Sequence, residues 1–174
     1  MNKKILTAII IGITAIVISS GYIIKNFNTK EEAVQFMIHK DLPDLKKDNY
    51  QLVNIPGSRY VLCITDIPHS IYIYKTASIF NVNFASMSGA EHLYAGDGKT
   101  MHYLNEKLIY GFDKDRPVRK EIFIDNKKMK TVELNQYFSK SKYKMNYKNL
   151  VFYYPEKPIE TSKNNLGFTE IQYH

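Results

Sequence analysis

The sequence predicts an α+β chain: an N-terminal transmembrane helix, one amphipathic helix, then a mainly antiparallel β-sheet or sandwich domain. Three observations predict it. Residues 5–24, ILTAIIIGITAIVISSGYII, form an uncharged apolar run directly behind Lys3 and Lys4. Residues 29–40 carry a helix start followed by clustered apolar positions. Beyond Asp48 the pattern changes to period two, in short runs broken by turn residues at intervals of about 8–12 residues.

The apolar run comes first. At about 1.5 Å rise per residue its helix is about 30 Å long, the thickness of a bilayer's hydrocarbon core. In lipid such a helix satisfies its own backbone hydrogen bonds and hides side chains that water would expose. Two fates are open to it. One is retention as a signal-anchor. The other is cleavage after Ser19-Ser20-Gly21, before Tyr22, releasing a secreted domain. The run exceeds the about 7–15 apolar residues of a cleaved signal, has no Ala-x-Ala site, and continues through Tyr22, Ile23 and Ile24. Retention is therefore the expectation. Lys25 and Lys30 follow the run, so the charge bias is weak, and the short tail favours a cytoplasmic N-terminus. The expected division is a cytoplasmic tail over 1–4, a signal-anchor over 5–24, a tether over 25–29 and an extracytoplasmic β-rich domain over 30–174. The expected location is the cell membrane, single-pass, with the C-terminal domain outside.

Thr29-Lys30-Glu31-Glu32 reads as a capping box, with Thr29 bonding the backbone at Glu32 and Glu32 reaching back. Ala33, Val34, Phe36, Met37 and Ile38 follow, which predicts a helix over 30–40. Asp41-Leu42-Pro43 ends it, because a residue before proline is pushed out of the helical region.

Strands are expected over 50–55, 59–65, 70–76 and 79–84, with 59–65 and 70–76 as a hairpin. In the third of these, Ile71 and Ile73 alternate with Tyr72 and Tyr74, giving one aliphatic and one phenolic face. Residues 86–98, SMSGAEHLYAGDG, read as an irregular loop with a turn at Gly96-Asp97-Gly98. A second hairpin is expected from 101–104 and 108–112 around Asn105-Glu106-Lys107, with a short helix over 99–110 as the alternative. A third is expected from 118–125 and 129–134 around Asn126-Lys127-Lys128. Residues 150–154 form a strand stopped by Pro155 and Pro158, and 167–173 form the last. No second domain boundary and no repeat is visible.

Composition supports this and narrows the chemistry. The chain has 14 Tyr and 9 Phe but no Trp, which suits strands better than helices. About 150 residues beyond the anchor suffice for one core. Cys63 is the one cysteine, so no intrachain disulfide exists, and its place in Val61-Leu62-Cys63-Ile64 predicts a buried hydrophobe. There is no P-loop, GxGxxG, HExxH, CxxC or GxSxG motif. The question of enzyme activity stays open, with the balance against it, and no cofactor is expected. Glu91, His92, Asp97 and His102 flank one turn and form a weak alternative for a metal or a general base.

The net charge of +7 has a clear location. Residues 114–148 hold eleven Lys or Arg against Asp115, Glu121, Asp125 and Glu133, a surplus equal to the whole chain's charge. Within that stretch Tyr137, Phe138, Tyr143 and Tyr147 interleave with Lys140, Lys142, Lys144 and Lys148. Tyr137, Lys140, Lys142, Tyr143, Lys144, Tyr147 and Lys148 are the expected binding residues. Besides the lipid bilayer that holds the anchor, their partner would be anionic lipid headgroups or an acidic wall polymer. Nucleic acid is not expected for an outward-facing domain, and the protein partner is unknown.

The anchor, the Glu31-Glu32-Ala33-Val34 helix start, Ile73-Tyr74-Lys75-Thr76, Ser88-Gly89, and Leu108-Ile109-Tyr110-Gly111 leading into 118–124 carry a resemblance. The chain resembles short membrane-anchored proteins of unknown function from low-GC Gram-positive bacteria. Ala90-Glu91 departs from the further glycine those proteins often have after Ser-Gly. The resemblance implies location and a β-rich fold, and brings no catalytic residues. The expected function is a non-enzymatic binding or interaction domain at the cell surface. The alternative is a secreted or anchored hydrolase or metal-binding protein using residues 91–102.

Overall fold

The N-terminal helix begins as its sequence predicts. The Thr29 hydroxyl oxygen accepts from the Glu32 N–H at 3.1 Å, and α1 runs over Lys30–Asp41. The Glu32 carboxylate reaches one residue further back than a capping box requires, accepting from the Asn28 N–H at 2.9 Å. Ala33, Val34 and Ile38 are the buried face. Leu42 closes the helix by donating its N–H to the Ile38 carbonyl.

The computed structural model describes residues 27–65, 70–79, 82–92, 98–114, 116–117, 120–138, 150–163 and 169–174. The expected tail, the span over 5–24 and the first two tether residues lie outside them. Among the described residues no helix is long and apolar enough to cross a membrane. The fold is β-rich α+β, mostly antiparallel sheet with one full-length helix among the described residues.

Four strands follow α1: β1 (Tyr50–Asn54), β2 (Tyr60–Thr65), β3 (Ser70–Ile79) and β4 (Val82–His92). They pair antiparallel in chain order as the first sheet. Then come β5 (Lys99–Leu104), β6 (Lys107–Asp113), β7 (Ile122–Ile124), β8 (Lys127–Lys128), β9 (Lys130–Glu133), a one-turn helix α2 (Asn135–Phe138), β10 (Val151–Tyr154), β11 (Ile159–Glu160) and β12 (Gln172–Tyr173). In the second sheet β6 pairs with β5 on one side and with β10 and β11 on the other, and β9 borders β10. A small third sheet has the order β12-β7-β8.

Period-two alternation sorts the side chains into three apolar layers. Ile71 and Ile73 of β3 join Leu62 and Ile64 against Tyr110, Phe112, Phe152 and Tyr154 of the second sheet. Tyr72 and Tyr74 turn the other way and pack with Cys63 beneath Val34 and Ile38 of α1. On the far side of the second sheet, Leu108, Val151 and Tyr153 meet Ile122, Ile124 and Met129. The order is helix, sheet, sheet, small sheet. Tyr60 crosses the central layer, donating its hydroxyl to the Ile109 carbonyl at 3.1 Å.

Four expected elements differ. The strand expected over 79–84 is divided: Ile79 ends β3, Val82 begins β4, and the two pair across the hairpin. Residues 86–92 are not a loop: β4 runs from Val82 to His92 and takes in Ser88 and Gly89. The register with β3 shifts between Ile73 and Tyr74, leaving Ser88 as the extra residue of a bulge. The third hairpin is shorter than expected. It turns at Asp125 and Asn126, both at positive φ (49° and 60°), and joins only β7 to β8. Residues 130–133 instead pair with β10. Of the last expected strand, Gln172 and Tyr173 are strand, and residues 167–168 lie outside the described residues. The helical alternative over 99–110 is replaced by the β5–β6 hairpin, turning at Asn105 and Glu106.

Burial of phenols and of the thiol makes stability depend on alkaline pH. Burial pushes the Cys63 thiol from 9.0 up to about 12. Burial likewise raises Tyr74, Tyr110 and Tyr153 well above 10.0. The folded state therefore keeps protons that the unfolded chain releases, so stability is full below about pH 9 and falls as pH rises through the window to about 12. For Cys63 alone this is on the order of 4 kcal/mol across the window. We expect the urea midpoint to drop sharply between about pH 8 and pH 11, and Cys63→Ser to flatten part of that drop. Equal midpoints at the two pH values would contradict this account of the core.

Candidate functional site

The residues singled out around the 96–98 turn separate in the structure. Glu91 sits opposite Ile71 on β4 and so faces the central layer. Its carboxylate Oε2 lies 3.2 Å from His102 Nε2, with the Glu91 side chain 8% exposed. His102 stacks on Tyr110 at 4.6 Å between ring centroids, and the Tyr110 hydroxyl donates to the Ser88 carbonyl. This chain of contacts ties β4 of the first sheet to β5 and β6 of the second. His92, one residue on, points to the opposite face, where Nδ1 lies 2.8 Å from the Ser70 hydroxyl. Asp97 lies outside the described residues. Among the described residues no three His, Cys, Asp or Glu side chains are placed to share a metal ion. The Glu91–His102 pair is built as an inter-sheet pin.

Of the basic-aromatic set, Tyr137 alone is described; Lys140, Lys142, Tyr143, Lys144, Tyr147 and Lys148 lie outside the described residues. Tyr137 sits on α2 and packs half-buried against the central layer. Its N–H donates to the Leu134 carbonyl, and the Asn135 side chain holds the next strand by accepting from the Leu150 N–H at 2.7 Å. Tyr137 thus works as a core wedge.

A cleft that sequence reasoning did not anticipate opens on the outer side of the second sheet. Its volume is about 1160 Å³. Alternation along β5 supplies Lys99, Met101 and Tyr103, and the C-terminal segment supplies Thr161, Thr169 and Ile171. Tyr103 is 42% exposed. Its hydroxyl lies within donor reach of both Thr169 Oγ1 at 3.0 Å and Met101 Sδ at 3.3 Å. Thr169 and Thr161 hydroxyls lie 3.0 Å apart, and Thr161 donates back to Tyr103 at 3.4 Å. A hydroxyl has one donor and two acceptor lone pairs. Three hydroxyls gathered this way can accept from a ligand and, because hydroxyl hydrogens rotate, also donate to one. The floor of the cleft is therefore a cluster of hydroxyls beside an exposed aromatic ring.

The rim is charged but nearly balanced. Lys99 and Lys163 face Glu106, Glu160 and Glu170, an excess of one negative charge in a strongly basic chain. Lys99 lies over the Tyr173 ring at 4.7 Å, and Lys107 pairs with Glu160 at 3.5 Å. Neither Glu91 nor His102 lines this cleft. The one signal in the sequence was the Lys-x-Met-x-Tyr alternation at 99–103; the threonines arrive from about sixty residues away. Comparison of the chain with family models, curated proteins and solved structures finds no match.

Proposed function

We propose that this chain is a single-pass, membrane-anchored extracytoplasmic protein that binds rather than transforms its ligand. The anchor is the uncharged run over 5–24. The cleft over β5 carries the binding half of the reading. Its hydroxyl floor suits a ligand rich in hydroxyl or amide groups, and the Tyr103 ring offers a flat apolar surface to the C–H face of a sugar. A rim with one negative charge in excess does not favour a polyanion, so the ligand class is a neutral or amine-bearing glycan. The basic stretch over 114–148 remains the natural contact for anionic headgroups.

The test is titration of the full chain, in detergent micelles, with a panel of soluble neutral and amine-bearing oligosaccharides, read by calorimetry. At least one member binds, and Tyr103→Ala weakens it by about tenfold or more, the equivalent of about 1.4 kcal/mol. Thr161→Val and Thr169→Val together do the same by removing two of the three hydroxyls. No binding by the panel, or binding unaffected by all three substitutions, would remove the cleft from the function.

A further inference from the structure

The exposed large apolar side chains of the first sheet and its helix gather where the chain emerges from the anchor. Ile79 is 56% exposed, and Phe84 and Phe36 are each 40% exposed. Ile79 and Phe84 stand on the β3–β4 hairpin near its turn, paired with Val82 and Ala77. Phe27, three residues beyond the expected anchor, packs on Phe36 with tilted rings, 5.2 Å between centroids. The Asn83 side-chain amide donates to the Phe27 carbonyl at 2.9 Å. That bond fastens the hairpin end to the first described residue after the anchor. Three residues of extended chain reach about 10 Å at most, so a helix ending at Ile24 leaves this end of the sheet at the bilayer surface.

Exposed apolar residues scattered singly need no explanation, but a set at one end beside an anchor does. From these positions we infer that the β3–β4 hairpin end, with Phe27 and Phe36, is a membrane seat: Ile79, Phe84 and Phe36 enter the headgroup region of the bilayer that holds the anchor. The inference rests on the anchor reading of residues 5–24. Its consequence is a fixed posture. β4 spans nine residue steps from Val82 to Glu91, about 30 Å at strand rise. His102, which meets Glu91, therefore stands well clear of the membrane, and with it the β5 strand that walls the cleft. The domain is held upright with its binding face presented outward, and the apolar end gives an attachment that salt does not screen.

The absence of Trp makes the seat directly measurable. Ile79→Trp and Phe84→Trp each give the full chain a single indole reporter at the seat. Leu104→Trp gives one at an exposed position two residues from His102. The chains are reconstituted in phosphatidylcholine vesicles, with and without lipids brominated near the headgroup end of the acyl chains. Fluorescence of the first two variants falls at least about twofold in brominated vesicles and is unchanged by raised salt, while the Leu104→Trp signal stays. If the chain floats with vesicles yet both hairpin reporters stay unquenched, the seat is wrong and the anchor stands. If the chain does not float with vesicles, anchor and seat fall together. Quenching that disappears in salt would assign the contact to lysines and overturn the apolar seat.

Discussion

Gly111→Ala should cost more than about 3 kcal/mol and lower the melting temperature by about 10 °C. A Cβ at Gly111 would fall well inside 3.0 Å of the Thr100 carbonyl and of the Tyr153 ring and hydroxyl. Neither obstacle can yield. The carbonyl belongs to β5, hydrogen-bonded to β6 in fixed register. Tyr153 is fully buried and donates its hydroxyl to that same carbonyl at 2.9 Å. Relief would require separating β5 from β6, which carries the cleft wall with it. With a total stability of about 5–15 kcal/mol typical of a domain, such a loss is a large fraction. Gly89 is the informative comparison. There the only atom inside 3.0 Å is the Tyr110 hydroxyl, and the next, Tyr110 Cζ, is at 3.7 Å. Gly89→Ala should therefore destabilise by about 1–3 kcal/mol and be largely restored by Tyr110→Phe, whereas no side-chain change restores Gly111→Ala. Thermal melts of the four chains by circular dichroism decide it; a Gly111→Ala chain melting within about 3 °C of the native one would refute the close-packing argument.

Those two glycines also show where the sequence was legible. Local signals carried the helix, because Thr29 and Glu32 cap it from within four residues. They carried the faces of β3, because Ile71, Tyr72, Ile73 and Tyr74 alternate without interruption. They failed at Ser86-Met87-Ser88-Gly89-Ala90, where small residues suggested a loop. Those residues are small because something large lies against them: Tyr110 covers Gly89, and the helix layer covers Ala85 and Met87. What makes the segment a strand is the bulk of partners elsewhere in the chain, which a local reading does not weigh. The 118–134 region failed differently. A turn was placed at Asn126-Lys127-Lys128, while the positive-φ pair is Asp125 and Asn126. Shifting the turn shortened the hairpin and released residues 130–133 to β10. The cleft was invisible for a third reason. Thr161 and Thr169 have no signature as ligand-facing residues, and only their meeting with Tyr103 gathers three hydroxyls into one polar floor.

Phe152→Ala should cost about 3–5 kcal/mol, and the loss should be felt in both large sheets at once. Phe152 lies on β10, flanked by β6 and β9, and is fully buried. Its ring centroid is 5.2 Å from Phe112 and 5.7 Å from each of Tyr60, Tyr110 and Tyr154. Tyr60 belongs to the first sheet, so this ring is shared by both halves of the sandwich. Truncation removes apolar burial and also leaves a cavity that these four rings, held on β2, β6 and β10, fill only partly. Phe152→Leu keeps most of the volume and should cost less than about 1.5 kcal/mol. The difference between the two substitutions then measures the cavity rather than the lost ring edges. Hydrogen exchange gives the second readout: amides of β2 and β3 should lose protection together with those of β6 and β10, because the central layer, with Tyr60 in it, couples them. A chain in which only the second sheet loosens would show that the two sheets are stabilised separately, and that the hairpin end and the cleft are not held in one rigid relation by this core.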